Sequence, residues 1–312
     1  MKILFYLLYG IAFLLSLLPS RVHYFLSDIL YVILYHLVKY RKEVVRKNLT
    51  SAFPEKSEEE ICKIEKGFYH FLCDLFAESI QQITISEKHF KKRITFKNVD
   101  QLEQVINEGQ SIALYLGHYC NWEWVTTLPL WLTSNTQCCQ IYHPLQNKVF
   151  DQLFLHIRER FGSLCIPMAE TLRRILEFQR ANQPFIIGYI SDQKPYWTNI
   201  HHWLDFLHHD TPVLTGAERI ICKMNHAVFY SDIRRVRRGY YEVTFRPITR
   251  EPKKMKEFEL TNIYYQMLEK SIQEAPEYWL WSHNRWSRTR EKFNHDFEVV
   301  NGKVVHRKQP IE

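Results

Sequence analysis

The sequence predicts an α/β fold, with a mainly parallel or mixed central sheet, helices on both faces and an N-terminal hydrophobic membrane-anchoring helix before it. Three observations lead to this prediction. Residues 111–116 form a compact apolar run that ends at Gly117, which is typical of a buried parallel strand. Helical and strand patterns alternate along the chain. Residues 3–18 carry no charged side chain, which indicates a hydrophobic helix near the start.

The N-terminal segment is predicted to attach the chain to a membrane. The uncharged run of residues 3–18 is shorter than the ~20 residues that a spanning helix needs. Residues 22–38 form a second apolar stretch, which ends in a basic run expected on the cytoplasmic side. A cleaved signal peptide is disfavoured because residues 18–21 offer no small-residue cleavage site, whereas a buried helical hairpin of a soluble domain stays an alternative. We therefore predict an anchor over residues 1–40 and one domain over residues 41–312.

The predicted elements follow apolar periodicity and capping signals. Ser57, followed by three glutamates, marks a helix start after a break at Phe53-Pro54. Functional side chains are expected at the carboxyl ends of the parallel strands, where open sheets bind ligands. The predicted helices cover residues 44–83 with that break, 100–107, 121–132, 170–180 and 214–224, and the predicted strands cover 94–96, 111–116, 184–190, 227–230 and 241–245.

The composition narrows the class of protein. The chain has 312 residues, of which 46% are apolar and 15% aromatic, so it can bury a large core. Its seven cysteines show no CxxC pair, which favours reduced thiols over a disulfide framework. The net charge of +7 is concentrated in clusters that attract phosphate or anionic lipid. No nucleic-acid-binding signature accompanies these clusters, so nucleic acid is not an expected partner. The clusters lie at residues 39–47, 234–238 and 285–292.

The chemistry is predicted at residues 117–124, Gly-His-Tyr-Cys-Asn-Trp-Glu-Trp, where the strand over residues 111–116 turns into a helix. On one continuous helix, positions five apart point about 140° away from each other. If His118 lies in the turn and Glu123 in the first helical turn, the two side chains converge. Glu123 then accepts the Nδ1–H of the imidazole and leaves Nε2 free as a base. The adjacent Cys120 leaves open a thiol hydrolase, which would form an acyl-cysteine.

A metal site is not expected. The segment of residues 201–210 is rich in histidine, but its spacing matches no structural zinc site, so we predict a loop or a surface that faces lipid headgroups. The residues concerned are His201, His202, His208, His209 and Asp210.

The HxxxxE arrangement, together with its flanking Gly and Asn-Trp-Glu, resembles the catalytic block of the lysophospholipid acyltransferase superfamily. More closely, it is similar to the late (secondary, lauroyl or myristoyl) acyltransferases of lipid A biosynthesis, whose block commonly reads Gly-His-x-Gly-Asn-Trp-Glu. Other blocks agree in order along nearly the whole chain. They lie at residues 46–49 and 53–54 (Arg-Lys-Asn-Leu and Phe-Pro), 142–147 (Tyr-His-Pro-Leu-Gln-Asn) with Asp151, Arg158, Arg160 and Gly162, 192–193 (Asp-Gln) and 276–286 (Pro-Glu-Tyr-Trp-Leu-Trp-Ser-His-Asn-Arg-Trp).

Three departures from the family pattern affect what can be carried over. Tyr-His-Pro stands at residues 142–144 where the family usually has Tyr-Arg-Pro, which weakens a role for a cation there. Cys120 replaces a usual glycine, which is expected to matter only for local packing. Residues 197–210 differ from other members, which leaves the choice of acceptor open.

The resemblance implies a ternary-complex acyl transfer in which His118 deprotonates an acceptor hydroxyl and Glu123 steadies the imidazolium. It implies acyl carrier protein or acyl-CoA as donor, a phosphorylated glycolipid as acceptor, no cofactor, and a bacterial inner (cytoplasmic) membrane location with the active site facing the cytoplasm. Backbone N–H groups of the His118 turn, Arg158 or Arg160 are candidates for stabilising the oxyanion. Another glycolipid or an aminolipid is the alternative acceptor, and a non-catalytic lipid-binding protein is the rival class. The expected substrate-binding residues are Asn121, Arg158, Arg160, Asp192, Gln193, His283 and Arg285.

Overall fold

A mixed sheet of seven strands forms the centre of the molecule, which a computed structural model describes over residues 2–307. The strands in chain order are β1 (Ile94–Lys97), β2 (Ile112–Leu116), β3 (Gln137–Tyr142), β4 (Leu164–Pro167), β5 (Phe185–Ile190), β6 (His202–Phe206), β7 (His209–Val213), β8 (Ala227–Arg237), β9 (Tyr240–Thr249), β10 (Phe297–Val300) and β11 (Lys303–His306). The order in the central sheet is β1-β9-β8-β2-β5-β3-β4, and only the β8–β9 pair is antiparallel. The predicted α/β class with a mixed central sheet is therefore confirmed.

The two strands that matter for the site are β2 and β5. Every residue of β2 is buried, as expected of a strand that is covered on both sides. β2 and β5 run parallel and in register, with Ile112 opposite Ile186 and Leu116 opposite Ile190. The residues that follow Leu116 and Ile190 therefore emerge side by side at the same edge of the sheet.

Eleven α-helices surround the sheet within the described residues. The restart predicted at Ser57 is confirmed, because its hydroxyl and the Glu60 carboxylate cap the helix start reciprocally. The helices are α1 (Lys2–Ser16), α2 (Ser20–Val32), α3 (Lys42–Ala52), α4 (Glu58–Gln81), α5 (Glu87–Arg93), α6 (Val99–Asn107), α7 (Lys148–Glu159), α8 (Thr171–Arg180), α9 (Gly216–Met224), α10 (Glu259–Glu274) and α11 (Arg290–Asp296). A π-helical turn (Ile33–Leu37) continues α2, and short 3₁₀ helices cover Met168–Glu170, Trp197–Asn199, Pro252–Lys254 and Pro276–Tyr278.

The helix predicted over residues 121–132 is present at Trp122–Trp131, and it is a 3₁₀ helix. Pro129 lies inside this segment and has no backbone N–H to donate to an α-helical bond. The hydroxyls of Thr126 and Thr127 donate to the carbonyls of Glu123 and Trp124, three residues earlier, and favour the tighter winding.

The N-terminal helices pack on the domain and expose an apolar surface. Within the described residues no single helix is long and apolar enough to cross a membrane, but residues 5–16 and 20–37 together form a bent pair with an angle of 116°. α2 packs along α4, where the Ser27 hydroxyl donates to Asp74 and the Tyr24 hydroxyl donates to Glu78. The anchor, and the boundary between residues 1–40 and 41–312, stay predictions. Large apolar side chains exposed on these helices include Tyr6, Leu7, Leu14, Leu17, Phe25, Leu37 and Val38.

The histidine-rich segment forms an antiparallel hairpin, β6–β7, so the alternative of a loop is wrong, and the alternative of a surface that faces lipid headgroups stays a prediction. His202 lies in β6, and His209 and Asp210 lie in β7. The His209 ring stacks on Trp286, and Asp210 accepts two hydrogen bonds from Arg290. These contacts with residues far along the chain give the segment a fixed conformation that local sequence does not encode.

Candidate active site

The turn between β2 and the 3₁₀ helix is held closely from two sides. A Cβ atom at Gly117 would lie 2.5 Å from Leu268 Cδ1, so only glycine lets the turn approach α10 this closely. On the other side, the Leu280 N–H donates to the His118 carbonyl and the Cys120 N–H donates to the Tyr278 carbonyl. The backbone of the turn is therefore fixed by residues near the C-terminal end of the domain.

His118 is paired with Asp192, which lies two residues after β5. Nδ1 of His118 is 2.6 Å from Oδ1 of Asp192, and the His118 backbone N–H donates to Oδ2 at 2.9 Å. Nε1–H of Trp279 donates to the same Oδ2 at 2.8 Å. Burial by itself would raise the pKa of Asp192, but the charge of His118 and these three hydrogen bonds together lower the pKa to about 2. The ionised Asp192 thus accepts Nδ1–H and leaves Nε2 of His118 unprotonated, so that Nε2 can act as a base.

Glu123 does not contact His118, which corrects the predicted His118–Glu123 pair. Its two carboxylate oxygens accept hydrogen bonds from Nε and Nη2 of Arg158 in α7, at 2.8 and 2.6 Å. Two features turn Glu123 away from the imidazole. Cys120 adopts a left-handed conformation with φ of 55°, and the following residues wind as a 3₁₀ helix with 3.0 residues per turn.

Hydrogen bonds of Asn121, one of them to Glu78, also hold the turn in place. The Asn121 carbonyl oxygen caps the 3₁₀ helix at the Trp124 N–H, and its amide donates to Glu78 at 2.6 Å. The hydroxyls of Tyr24 and Tyr241 also donate to Glu78. Asn121 is fully buried, so this arrangement leaves it no exposed surface for the predicted substrate contact.

A pocket of about 480 Å³ opens beside the base. Gln193 is one of its walls, and its amide nitrogen lies 3.3 Å from Nε2 of His118. His283 is another, and its Nε2 accepts the Lys194 N–H, so the ring proton is on Nδ1. Burial and then the nearby Arg285 lower the pKa of His283 to about 4, which keeps this ring neutral at pH 7. The complete lining is Leu34, Tyr40, Arg41, Leu72, Phe76, Gln193, Leu280, Ser282 and His283.

The remaining predicted arginines lie outside this pocket. Arg158 is occupied by Glu123, and Arg160 donates to the Gln82 carbonyl. Arg285 is fully buried and donates to the Pro212 carbonyl and the Tyr265 hydroxyl. Of the predicted oxyanion donors, the His118 N–H, the Cys120 N–H and both arginines already have partners in the protein.

Cys120 has no access to a substrate. Its side chain is fully buried, and burial raises the pKa of the thiol well above its usual range. A neutral, enclosed thiol is a poor nucleophile, so the geometry does not favour a thiol hydrolase. A larger concavity of about 970 Å³ lies on the β10–β11 hairpin, but it is lined only by residues 298–307 and includes none of the predicted site residues.

Sequence reasoning missed two residues that organise the base. Trp279 donates to Asp192, and it lies in the C-terminal block at residues 276–286, which was the available signal for it. Glu78 lies in the last turn of α4, where an acidic side chain gives no local sign of burial. Within the described residues no group of three or more potential metal ligands comes together.

Comparisons with known proteins identify the family of the chain. The sequence model of a family described as bacterial lipid A biosynthesis acyltransferase matches residues 1–288. A lipid A biosynthesis acyltransferase of Haemophilus influenzae is 24% identical over 280 residues, which cover 87% of this chain and 84% of the relative. The match includes every residue of the candidate site described above.

Proposed function

Because the chain belongs to the bacterial lipid A biosynthesis acyltransferase family, and is therefore an acyltransferase, we propose that it transfers a fatty acyl chain from an acyl thioester to a hydroxyl group of a lipid A precursor. The observation that carries this proposal is the hydrogen bond between Nδ1 of His118 and the buried carboxylate of Asp192. It orients the imidazole and leaves a free base at Nε2, next to a pocket whose lining is partly apolar.

In the proposed reaction, Nε2 of His118 takes the proton of the acceptor hydroxyl as its oxygen attacks the thioester carbonyl. Asp192 stabilises the imidazolium that forms, because its negative charge lies 2.6 Å from Nδ1. The tetrahedral intermediate then collapses, the carbon–sulfur bond breaks, and the imidazolium returns the proton to the departing thiolate. The products are an ester and a free thiol, and the acyl chain is never bonded to the enzyme.

The negative oxygen of the tetrahedral intermediate needs hydrogen-bond donors. Among the side-chain donors that line the pocket are the Gln193 amide, 3.3 Å from Nε2, and Nδ1–H of His283. We assign the oxyanion to these two groups. Glu123 is given a positioning role, since its pair with Arg158 ties the 3₁₀ helix to α7.

The acyl chain and the membrane are assigned to one continuous apolar surface. Leu34, Leu72, Phe76 and Leu280 give the pocket an apolar part of its lining. Leu34 follows α2, whose exposed face carries Phe25 and other apolar side chains. We propose that α1 and α2 rest on the bacterial inner membrane, with the pocket facing the cytoplasm, so that a lipid acceptor enters from the bilayer. The donor is acyl carrier protein or acyl-CoA.

The test is a transfer assay on membranes that contain the full chain. Acyl-acyl carrier protein and acyl-CoA are supplied separately with a lipid A precursor, and the lipid products are read by mass spectrometry. We expect one added acyl chain with the wild type and none with His118→Ala. His89→Ala is the matched control, because His89 is exposed on α5. Hydrolysed thioester without a new lipid, or equal products from wild type and His118→Ala, would contradict the proposal.

A further inference from the structure

Four cations, Arg41, Lys194, Arg285 and Arg288, lie near one another at the pocket beside the base. Arg41 lines the pocket, as does the neutral His283. Lys194 follows Gln193, and its backbone N–H donates to Nε2 of His283. The positive charges of Arg288, Arg41 and Arg285 all act on Lys194. Over residues 2–307, no carboxylate lies within 4.0 Å of any of these four cations, which are Arg41, Lys194, Arg285 and Arg288.

Other arginines that are partly removed from water do have acidic partners. Arg235 and Arg238 both pair with the buried Asp74 at 2.7 Å, and Arg158 pairs with Glu123 at 2.6 Å. In those places the chain supplies a carboxylate for each guanidinium, as is usual for charges removed from water. Around the four cations it supplies only neutral partners.

Neutral contacts hold the cations in place. Nη1 of Arg41 donates to the Ser282 carbonyl at 2.9 Å, and Nζ of Lys194 donates to the Ser287 hydroxyl at 2.6 Å. The guanidinium of Arg288 lies over the Trp197 ring, 5.3 Å from its centroid. Arg41 also adopts a left-handed backbone conformation with φ of 51°, which costs free energy and is tolerated where the surroundings fix the residue. The cations are thus positioned before any ligand arrives.

Several of the donors in the cluster have no partner within the described protein. Nη1 of Arg288 is buried and unpaired, and so are Nε and Nη1 of Arg285, whose whole side chain is buried. Burial, followed by the charges of the three arginines, lowers the pKa of Lys194. Like charges that are close and partly desolvated repel one another, and an anion among them relieves the repulsion while it accepts the free donors.

We propose that Arg41, Lys194 and Arg288 form a phosphate-binding subsite at the pocket beside the base, with the buried Arg285 adding positive potential. The inference rests on the proposed function and deepens it by assigning these side chains to a phosphate group of one substrate. Guanidinium groups suit this ligand because they offer two parallel N–H donors to phosphate oxygens. The phosphate has two possible sources: a phosphate of the acceptor glycolipid, and the phosphate of the donor, present in phosphopantetheine and in CoA.

The experiment compares substrates with and without phosphate on matched variants. The subsite is removed with Lys194→Ala/Arg288→Ala and with Arg41→Ala, and it is restored in charge with Lys194→Arg. Arg180→Ala is the control, because Arg180 ends α8 and does not line the pocket. Each protein is assayed with the phosphorylated acceptor and its phosphatase-treated form, and with acyl-CoA and acyl-pantetheine as donors.

The expected result is a KM increase of tenfold or more for one phosphorylated substrate, with the KM of its phosphate-free form unchanged and Lys194→Arg close to wild type. An effect confined to the phosphorylated acceptor assigns the subsite to the acceptor, and one confined to acyl-CoA assigns it to the donor. If the variants change phosphorylated and phosphate-free substrates by the same factor, or behave like Arg180→Ala, the subsite is refuted.

A second readout separates this proposal from the proposed function. Binding of inorganic pyrophosphate to the purified full-length protein is measured by calorimetry. We expect the wild type and Arg180→Ala to bind and Lys194→Ala/Arg288→Ala to lose at least tenfold in affinity. If the wild type transfers no acyl chain but shows this pattern, the subsite stands while the proposed function fails. Equal pyrophosphate affinity in wild type and double variant overturns the subsite.

Discussion

Two carboxylates flank the turn that follows β2, and they hold different partners. Asp192 comes from the neighbouring strand β5, is 2% exposed, and accepts hydrogen bonds from the ring and the backbone of His118. Glu123 comes from the same turn as His118, yet both of its oxygens are bound by Arg158 of α7. The carboxylate that is closer to His118 in the sequence is therefore not the one that binds it. The contact between His118 and Asp192 arises from the parallel pairing of β2 with β5, because this pairing brings the two strand ends to one edge of the sheet.

Replacement of His118, the proposed general base, should have the largest effect on the transfer rate. His118→Ala deletes the group that takes the proton from the acceptor hydroxyl, and we expect the transfer rate to fall by about 10⁴-fold. The measurement is single-turnover transfer of a labelled acyl chain with saturating donor. Loss of less than tenfold would mean that another group acts as the base.

The sharpest test of the comparison is to neutralise each carboxylate in turn. Asp192→Asn removes the charge that holds the Nδ1–H tautomer, and we expect kcat to fall by about 10³-fold with a smaller change in KM. The measurement is steady-state kinetics of Asp192→Asn and of the matched variant Glu123→Gln. If Glu123→Gln loses more activity than Asp192→Asn, the assignment of the two carboxylates is reversed.

Glu123 should act through position. Glu123→Ala leaves Arg158 unpaired and loosens the 3₁₀ helix after the turn, so we expect a loss of kcat of about 10²-fold. Arg158→Ala should give a similar loss, and the double variant should be no worse than either single variant, because all three break the same contact. The measurement is the double-mutant cycle on kcat, and fully additive losses would contradict a joint role.

The lowered pKa of Asp192 should make the free energy of unfolding decrease at acidic pH. Its pKa is lowered to about 2 in the folded protein, below the ordinary value of 3.8, so its contribution is present above pH 4 and is lost as the pH falls through 2. The shift corresponds to about 2 kcal/mol of unfolding free energy. We expect urea denaturation curves between pH 5 and pH 2 to show this loss in wild type and in Asp100→Asn, but not in Asp192→Asn. An equal loss in all three proteins would place the titration elsewhere.

The smallest effect is expected at Cys120, which lies in the turn but whose side chain is fully buried. Cys120→Ala should leave the transfer rate within about twofold of wild type, since the thiol is buried and its pKa is raised. The measurement is the same transfer assay, with thioester hydrolysis followed in parallel. Loss of all activity in this variant would revive the thiol mechanism.

The sequence predicted the position of His118 better than its partner. The apolar run of residues 111–116 is a local pattern, and it correctly places His118 at the end of a buried strand. Asp192 was recognised as a site residue by resemblance, but its contact with His118 spans 74 residues and depends on which strands are neighbours. Local patterns carry no information about strand order, so periodicity and spacing could not assign this pair.

The predictions that failed depended on backbone detail. The expected His118–Glu123 contact assumed an α-helix after the turn, whereas Cys120 is left-handed and Pro129 lies in a 3₁₀ helix. The β6–β7 hairpin was predicted as a loop because its strands are rich in histidine and polar residues and lack a clear apolar alternation. In both cases tertiary contacts decided the local conformation against the weaker signal of the sequence.

The hydrogen bonds from residues 278–280 to the His118 turn and to Asp192 also bear on when, during synthesis, the active site can form. A ribosome makes His118 and Asp192 early and delivers Tyr278, Trp279 and Leu280 much later, because translation runs from the N terminus. Until then the turn lacks two of its backbone hydrogen bonds, and Asp192 lacks the Trp279 donor. A nascent or prematurely terminated chain that ends before residue 278 therefore holds the base and its carboxylate without the framework that orients them. We therefore expect acyl transfer to begin only after residues 278–280 have been made.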